Sequence, residues 1–452
     1  MDNNKFELMK FRNTRYIACC FFLFLFLTLP ACGAGGESAA VLTCATLYPD
    51  KIDRGAVDRF NRRHTDVQIA VVDYSAEDSS NGKSGKDRLL TEMAAGRTPD
   101  ILDLTGLSYQ VMARKGYLED LWPYIEGDPE LGREGVWETP LRAAEIDGKL
   151  YEVFDCVCVD TLVGAESVVG NRTSWTLVEL QETFAAMPEG SSILYPTSRN
   201  SDLLSYVFKM RLDSYVDWET GQCSFDSDSF RAALAFVGSV PSESECPWTE
   251  EEIGEHILSG RQMLTQQILI RPITVQALDA SYGMGGRAAF VGYPVEDGGV
   301  GSSFYFTMQS SRMAMSSACR NKPAAWEFIR ELLLPQYAGR SYERISVNQM
   351  LGIPINRSDY EWMIAADRSN AVRDQTKQFY GLPRVKLHPA TEEEITRYED
   401  FVNQINRIQI YDDVIYNIVQ ELSGPYFAGD KTLDETIALI QNRVTLYVNE
   451  NR

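Results

Sequence analysis

Asp103, Thr105 and Gly106 stand close together at the end of a short apolar run, Ile101, Leu102 and Leu104. A carboxylate, a hydroxyl and a residue without a side chain at such a place can orient a polar ligand; the bland alternative is that Asp103 caps the next helix. Other chemistry finds little support. His64, His256 and His388 are scattered, and the nine cysteines form no Cys-x-x-Cys pair, so no metal or cofactor site is expected. No Gly-x-Ser-x-Gly elbow occurs, and Gly283, Gly285 and Gly286 lack the Lys-Ser pair of a phosphate loop. A glycoside hydrolase would need two carboxylates about 5 to 9 Å apart, but among 64 acidic residues some such pair arises by chance.

The elements around Asp103 are closely specified. Leu89, Leu90, Met93 and Ala94 share one face of a helix, Gly96 suits a left-handed cap, and Pro99 forbids continuation. A short strand must follow. Before it, Val41–Tyr48 reads as a strand, Ala56, Val57 and Phe60 as the inner face of a helix, and Val67–Tyr74 as a second strand; Tyr109–Lys115 is a helix closing at Gly116. Alternating strands and helices predict an α/β fold with a parallel sheet, whose ligands bind beyond the strands' carboxyl ends.

The 452 residues suffice for two domains, and 44% hydrophobic with 24% charged residues is ordinary globular composition. A net charge of -21 argues against nucleic acid or an anionic membrane surface as partner. Lys5, Lys10, Arg12 and Arg15 precede the apolar run Ile17–Leu29, the order of a secretion signal. The run ends in Leu29-Pro30-Ala31-Cys32, which resembles a bacterial lipobox with an unusual proline, so residues 1–31 are expected to be removed and Cys32 lipidated. Residues 32–40 then form a flexible tether. Cys156 and Cys158 alternate with apolar residues on one strand face, so buried free thiols are expected rather than a disulfide framework.

Several segments, in order, resemble the family 1 extracellular solute-binding proteins, the sugar-type receptors of ABC importers. They are Asp66–Ile69, Leu89–Ile101 (LLTEMAAGRTPDI), Lys115–Leu121 (KGYLEDL), Val216–Gly221, Ala289–Pro294, Lys322–Ile329 and Phe427–Thr436. Together they span almost the whole chain after the tether. The resemblance implies a two-lobed periplasmic-binding-protein-like fold of type II, with a cleft between lobes joined by a multi-segment hinge. It places residues 41–153 and 289–335 in lobe 1 and residues 154–288 and 336–452 in lobe 2, with crossings near 148–154 and 288–294. It also implies a lipid-anchored, monomeric, non-enzymatic receptor on the outer face of the bacterial cell membrane, without cofactor, which passes a carbohydrate, first of all an oligosaccharide, to an ABC permease. A surface sensor or adhesin of the same fold would carry the same sequence features.

Within that frame the expected ligand contacts are Tyr48, Asp103, Thr105 and Gly106 at strand ends of lobe 1, and Tyr293 and Glu296 after the return crossing. Thr265, Gln267, Tyr195 and Tyr411 are expected from lobe 2. Gly260–Thr265 resembles the family strand that ends beside the ligand, but Gln266, Gln267, Ile268 and Leu269 follow where an aromatic residue is usual. Other expectations are a cap at Thr173 or Ser174, a strand over Ser191–Tyr195 and core helices over Asp412–Leu422 and Leu433–Val448.

Overall fold

The first strand, β1 (Ala40–Thr46), is buried along its inner half, where Leu42, Cys44 and Ala45 are almost wholly covered. It lies between β2 (Val67–Asp73) and β3 (Ile101–Asp103), parallel to both, as the intervening helices require. Those helices are α1 (Arg54–Arg63), capped by Asp53, and α2 (Gly85–Ala94), which starts in a Ser84–Asp87 capping box. Gly96 follows α2 at φ +78°, the left-handed stop read from the sequence. The third helix, α3 (Tyr109–Arg114), leaves the β3 loop directly. In this computed structural model the described residues are 39–75, 84–194, 200–239, 249–296, 302–307, 312–342, 352–372, 375–379, 381–409 and 413–452. Ala39–Arg452 form one compact unit.

Two short steps carry the chain from the first sheet to the second. The strand β4 (Val153–Phe154) closes one edge of the first sheet, and β5 (Cys156–Ala165) begins the other sheet after a single residue. This crossing falls where the sequence places it. The long β5 is the spine of the second sheet, pairing antiparallel with β8 (Thr265–Leu269), β9 (Ala288–Phe290), β10 (Phe304–Phe306) and β12 (Ile353–Pro354). The strands β6 (Val216–Asp217) and β7 (Gln222–Cys223) form a small hairpin. A second hairpin joins β13 (Thr376–Lys377) and β14 (Val385–Lys386).

The return comes later than expected. Residues 288–294 do not lead back to the first sheet, since β9 and then β10 both pair with β5. The first strand to rejoin is β11 (Arg312–Met315), inserted antiparallel between β3 and β4, giving the order β2-β1-β3-β11-β4. Ala288–Phe290 are wholly apolar and buried, a pattern that suits either sheet, so only strand partners could decide. Residues 289–306 therefore belong with the second sheet.

Smaller corrections concern local chemistry. Thr176 rather than Thr173 or Ser174 caps the helix Leu177–Ala185, in a capping box with Glu179. Ser191–Leu194 form no regular strand; Ser192 makes one isolated bridge to Gln262, and Tyr195 lies outside the described residues. The helices Asp413–Phe427 and Leu433–Asn451 pack on the second hydrophobic cluster through Ile415, Ile418, Val419, Ile437, Ile440 and Val444, as their spacing predicts. The cysteines Cys44, Cys156, Cys158, Cys223 and Cys319 carry free thiols. Burial pushes Cys44 and Cys158 up to about 12, which makes them poor nucleophiles.

One buried carboxylate pins the first lobe's edge. Asp128 accepts from Arg330 Nε (2.6 Å) and Nη2 (2.8 Å), from Trp326 Nε1 (3.1 Å) and from the amide of Glu130 (3.0 Å). Burial would raise its carboxyl, but these donors prevail and hold it below the usual carboxylate range. Such a group contributes stability that is present above its unfolded value of about 3.9 and is lost as pH falls through the lower native value. Asp128→Asn is expected to cost about 2 kcal/mol near neutral pH. Urea unfolding across the acid range should show the gap to the parent narrowing as pH falls; a gap independent of pH would exclude the charged form as the stabilising one.

Candidate ligand cleft

At the carboxyl end of β3 the chain turns sharply. Asp103 is fully buried and faces inward, accepting from Thr46 Oγ1 (2.7 Å), Thr105 Oγ1 (2.7 Å) and the Thr105 amide (3.1 Å). It positions the loop rather than meeting solvent. Gly106 then takes φ +77°, and a Cβ there would sit 2.8 Å from Cε2 of Tyr48. The Tyr48 ring thus lies against the Gly106 backbone, 47% exposed, while its amide donates to Thr46 Oγ1 (2.9 Å). Two of the expected contacts support the site and two, Thr105 and Gly106, form its wall.

That wall closes a cavity of about 410 Å³, within the size range of small-molecule sites. The first lobe supplies Thr105, Gly106, Ser108, Tyr109 and Gln110 from the β3–α3 connection, Lys51 after β1, Lys86 and Leu90 from α2, and Arg312 from β11. Facing them are Phe306 and Thr307 at the end of β10, Ile408, Gln409 and Val414, and Tyr447 and Asn451 of the last helix. The cavity therefore lies between elements of the two sheets.

Arg312 organises the first-lobe side. Its Nε and Nη2 bond the two carboxylate oxygens of Glu152 at 2.8 and 2.9 Å, and its guanidinium lies 5.5 Å from the Tyr109 ring centre. Glu152 is completely buried, a placement tolerable only because the fork matches it. Burial pushes the Tyr109 phenol well up from its ordinary value, and the Glu152 charge adds to it. The phenol accordingly stays a neutral donor. The Ser108 hydroxyl makes no capping bond to α3.

The other expected contacts lie elsewhere. Thr265 faces Val163 on β5, whereas Phe306 faces Cys158, and that interval of strand spans about 17 Å. Thr265 Oγ1 accepts from Gln267 Nε2 (3.2 Å), which also reaches Tyr282 (3.1 Å), so both side chains bond within the second sheet. Tyr293 is wholly buried and donates to Asp160 (2.5 Å), which also accepts from Lys209 (2.9 Å) and Gln266 (2.8 Å). Glu296 pairs with Arg211 (2.6 Å) and accepts from Tyr215. The late return accounts for Tyr293 and Glu296, which the sequence reading sets beyond a crossing that the chain has not yet made at that point. Tyr411 and Cys32 lie outside the described residues.

Sequence reasoning missed Arg312, Tyr109, Gln409 and Tyr447. Only Tyr109 carried a signal, standing at the start of a helix just after the Asp103 loop. Tyr447 continues the apolar spacing of the last helix and reads as core, although it lines the cavity.

No family model matches the sequence, and no curated protein matches it. Solved structures do. The sugar-binding protein MalE from the phytopathogen Xanthomonas citri is 17% identical, covering 91% of this chain and 98% of that one at a TM-score of 0.52. A periplasmic oligogalacturonide-binding protein from Yersinia enterocolitica is 12% identical, covering 91% and 100% at 0.53. A binding protein of Bacillus subtilis in an open conformation is 11% identical, covering 92% and 99% at 0.51. The chain has the two-lobed, periplasmic-binding-protein-like α/β fold that these proteins share. Among the described residues no cluster of three or more His, Cys, Asp or Glu suits a metal, and no helix is long and apolar enough to cross a membrane.

The Gly106 geometry is directly testable. Gly106→Ala is expected to lower stability by about 1–2 kcal/mol for the left-handed backbone alone, and by more because its methyl meets the Tyr48 ring. Gly96→Ala has a matching φ of +78° with nothing within 4 Å, so it measures the backbone cost by itself. Equal shifts in melting temperature for the two variants would show that the Tyr48 contact carries no energy.

Proposed function

We propose that the protein is a receptor that holds a carbohydrate in the cavity between its lobes, closes around it and delivers it unchanged to an ABC permease. The observation that carries this reading is the 410 Å³ cavity set beyond the carboxyl ends of the parallel strands and walled by both lobes. In this fold the resembling proteins are described as binding sugar and oligogalacturonide. Tyr109, Phe306 and Tyr447 offer ring surface for the C–H faces of a pyranose, and Thr105, Ser108, Gln110, Gln409 and Asn451 offer hydrogen bonds to hydroxyls. Contacts made from both lobes favour the closed arrangement, and only a ligand that binds closed better than open shifts that population. No chemical step is required of the protein.

The chain acts on this reading as a monomer outside the cell, held to the membrane through a lipid on Cys32, with residues 33–40 as tether. Replacement of Cys32 by Ala should abolish incorporation of labelled palmitate and release the protein from membranes. Retained label would place the lipid elsewhere.

A panel of mono- and oligosaccharides read by thermal shift tests the central statement. A ligand at 100 times its dissociation constant should add roughly 2.7 kcal/mol of stability, and the sugar should be recovered intact. Tyr447→Ala and Gln409→Ala should each weaken the same ligand by about tenfold, or 1.4 kcal/mol, while the protein remains folded. Recovery of a cleaved sugar would replace the receptor by a hydrolase, and an unchanged melting temperature across the panel would remove the carbohydrate.

A further inference from the structure

The hairpin of β6 and β7 touches both sides of the cleft. Its turn is shaped by Asp217, whose carboxylate accepts from the amides of Glu219 (2.9 Å) and Thr220 (3.0 Å), and by Gly221 at φ +77°. The hairpin is seated on the last helix: Gln441 Nε2 donates to the Cys223 carbonyl (2.8 Å), Asn449 Nδ2 to that of Gly221 (3.4 Å) and Arg452 Nη1 to that of Glu219 (3.1 Å). So held, the half-buried Trp218 stands edge-on to Tyr447 at 6.3 Å, and both rings pack on the second hydrophobic cluster. The other face of the contact comes from the first sheet's side. At the end of α3 the Arg114 guanidinium lies 4.7 Å from the Trp218 ring centre, and the next residue, Lys115, donates from Nζ to Asn451 Oδ1 (3.2 Å).

These two contacts adjoin the cavity without belonging to it. Tyr447 and Asn451 line it, whereas Arg114, Lys115 and Trp218 are not among its lining residues. Two other lining residues, Arg312 and Phe306, pair with Phe154 and Cys158, on either side of Asp155 where the chain crosses between the sheets. The cavity therefore has a covalent crossing beside Arg312 and Phe306, and non-covalent contacts beside Tyr447 and Asn451. Arg114 and Lys115 are exposed, and a cation resting on an aromatic face at an exposed site holds only weakly. Such a contact can keep two elements together and still be released by thermal motion.

We propose that Arg114 and Trp218, with Lys115 and Asn451 beside them, form a clasp across the mouth of the cavity. The solute enters and leaves when the clasp is released, so Arg114 and Trp218 are positioning residues that set the rate of exchange without touching the solute. The clasp rests on the reading that the lobes close around a solute, and it adds the contact that must break for them to part.

Two measurements on the full chain test it: stopped-flow dissociation of maltotriose and of trigalacturonate, and small-angle X-ray scattering without ligand. Arg114→Leu and Trp218→Leu should each raise the dissociation rate about two- to fivefold, the range an exposed cation–π contact supplies. The double variant should do no more than either single one, because both remove the same contact. Trp218→Phe keeps a ring face for the guanidinium and should stay within about twofold of the parent. Without ligand, both leucine variants should have a larger radius of gyration than the parent. Arg114 is exposed, so its variant keeps the test open should Trp218→Leu fail to fold. An unchanged dissociation rate or radius in Arg114→Leu, or additive effects in the double variant, would overturn the clasp and leave the carbohydrate reading standing. If neither saccharide binds, scattering alone decides: a larger radius in Arg114→Leu supports the clasp, an unchanged one removes it, and the carbohydrate is judged separately by the wider panel.

Discussion

A single buried carboxylate sets the geometry on which the cleft depends. Asp103 has no water to satisfy it, so its oxygens must find donors inside the protein, and they find Thr46 at the end of β1 and Thr105 just beyond β3. This ties the ends of two parallel strands together and fixes the direction in which the chain leaves the sheet. The left-handed turn at Gly106, the Tyr48 ring laid on it and the departure of α3 all follow from that anchoring. A residue that reads as a ligand contact thus serves by aiming its neighbours.

Arg312 supplies the matching constraint from the far end of the chain. It arrives on β11, antiparallel to β3, and its carbonyl accepts from the amide of Leu104 (2.7 Å) while its guanidinium engages Glu152 beside β4. Insertion of this late strand between β3 and β4 makes the first sheet a product of three distant segments. The cavity consequently forms only when the chain has passed through the second sheet and come back. A site assembled in this way has walls from elements of both sheets.

The second lobe is held by its own satisfied charges rather than by cleft residues. Asp160 is surrounded by Lys209, Tyr293 and Gln266, and Tyr206 donates in turn to Gln266 (2.9 Å). Arg271 and Asp367 form another buried pair. Networks of this kind are costly to disturb but fix one arrangement when every member is paired.

The sequence by itself determined the local elements of the first lobe: strand, helix, glycine stop and loop at Asp103, together with the α/β class and the crossing before Cys156. These are written in short-range patterns, namely apolar spacing, capping pairs such as Ser84–Asp87, and glycines that adopt a positive φ at little steric cost. It also put Thr105 and Gly106 in the loop beyond β3, and that loop lines the cavity. What it did not determine is which sheet receives an apolar strand. Ala288–Phe290, Phe304 and Tyr305 are buried in either case, and the choice of β5 as partner is a matter of long-range pairing that no local pattern encodes. Tertiary structure therefore decided the return crossing, moved Tyr293 and Glu296 into the second lobe's interior and brought Arg312, Gln409 and Tyr447 to the cleft. The physical reason is that a side chain's burial reports how much it is covered, whereas its role depends on what covers it.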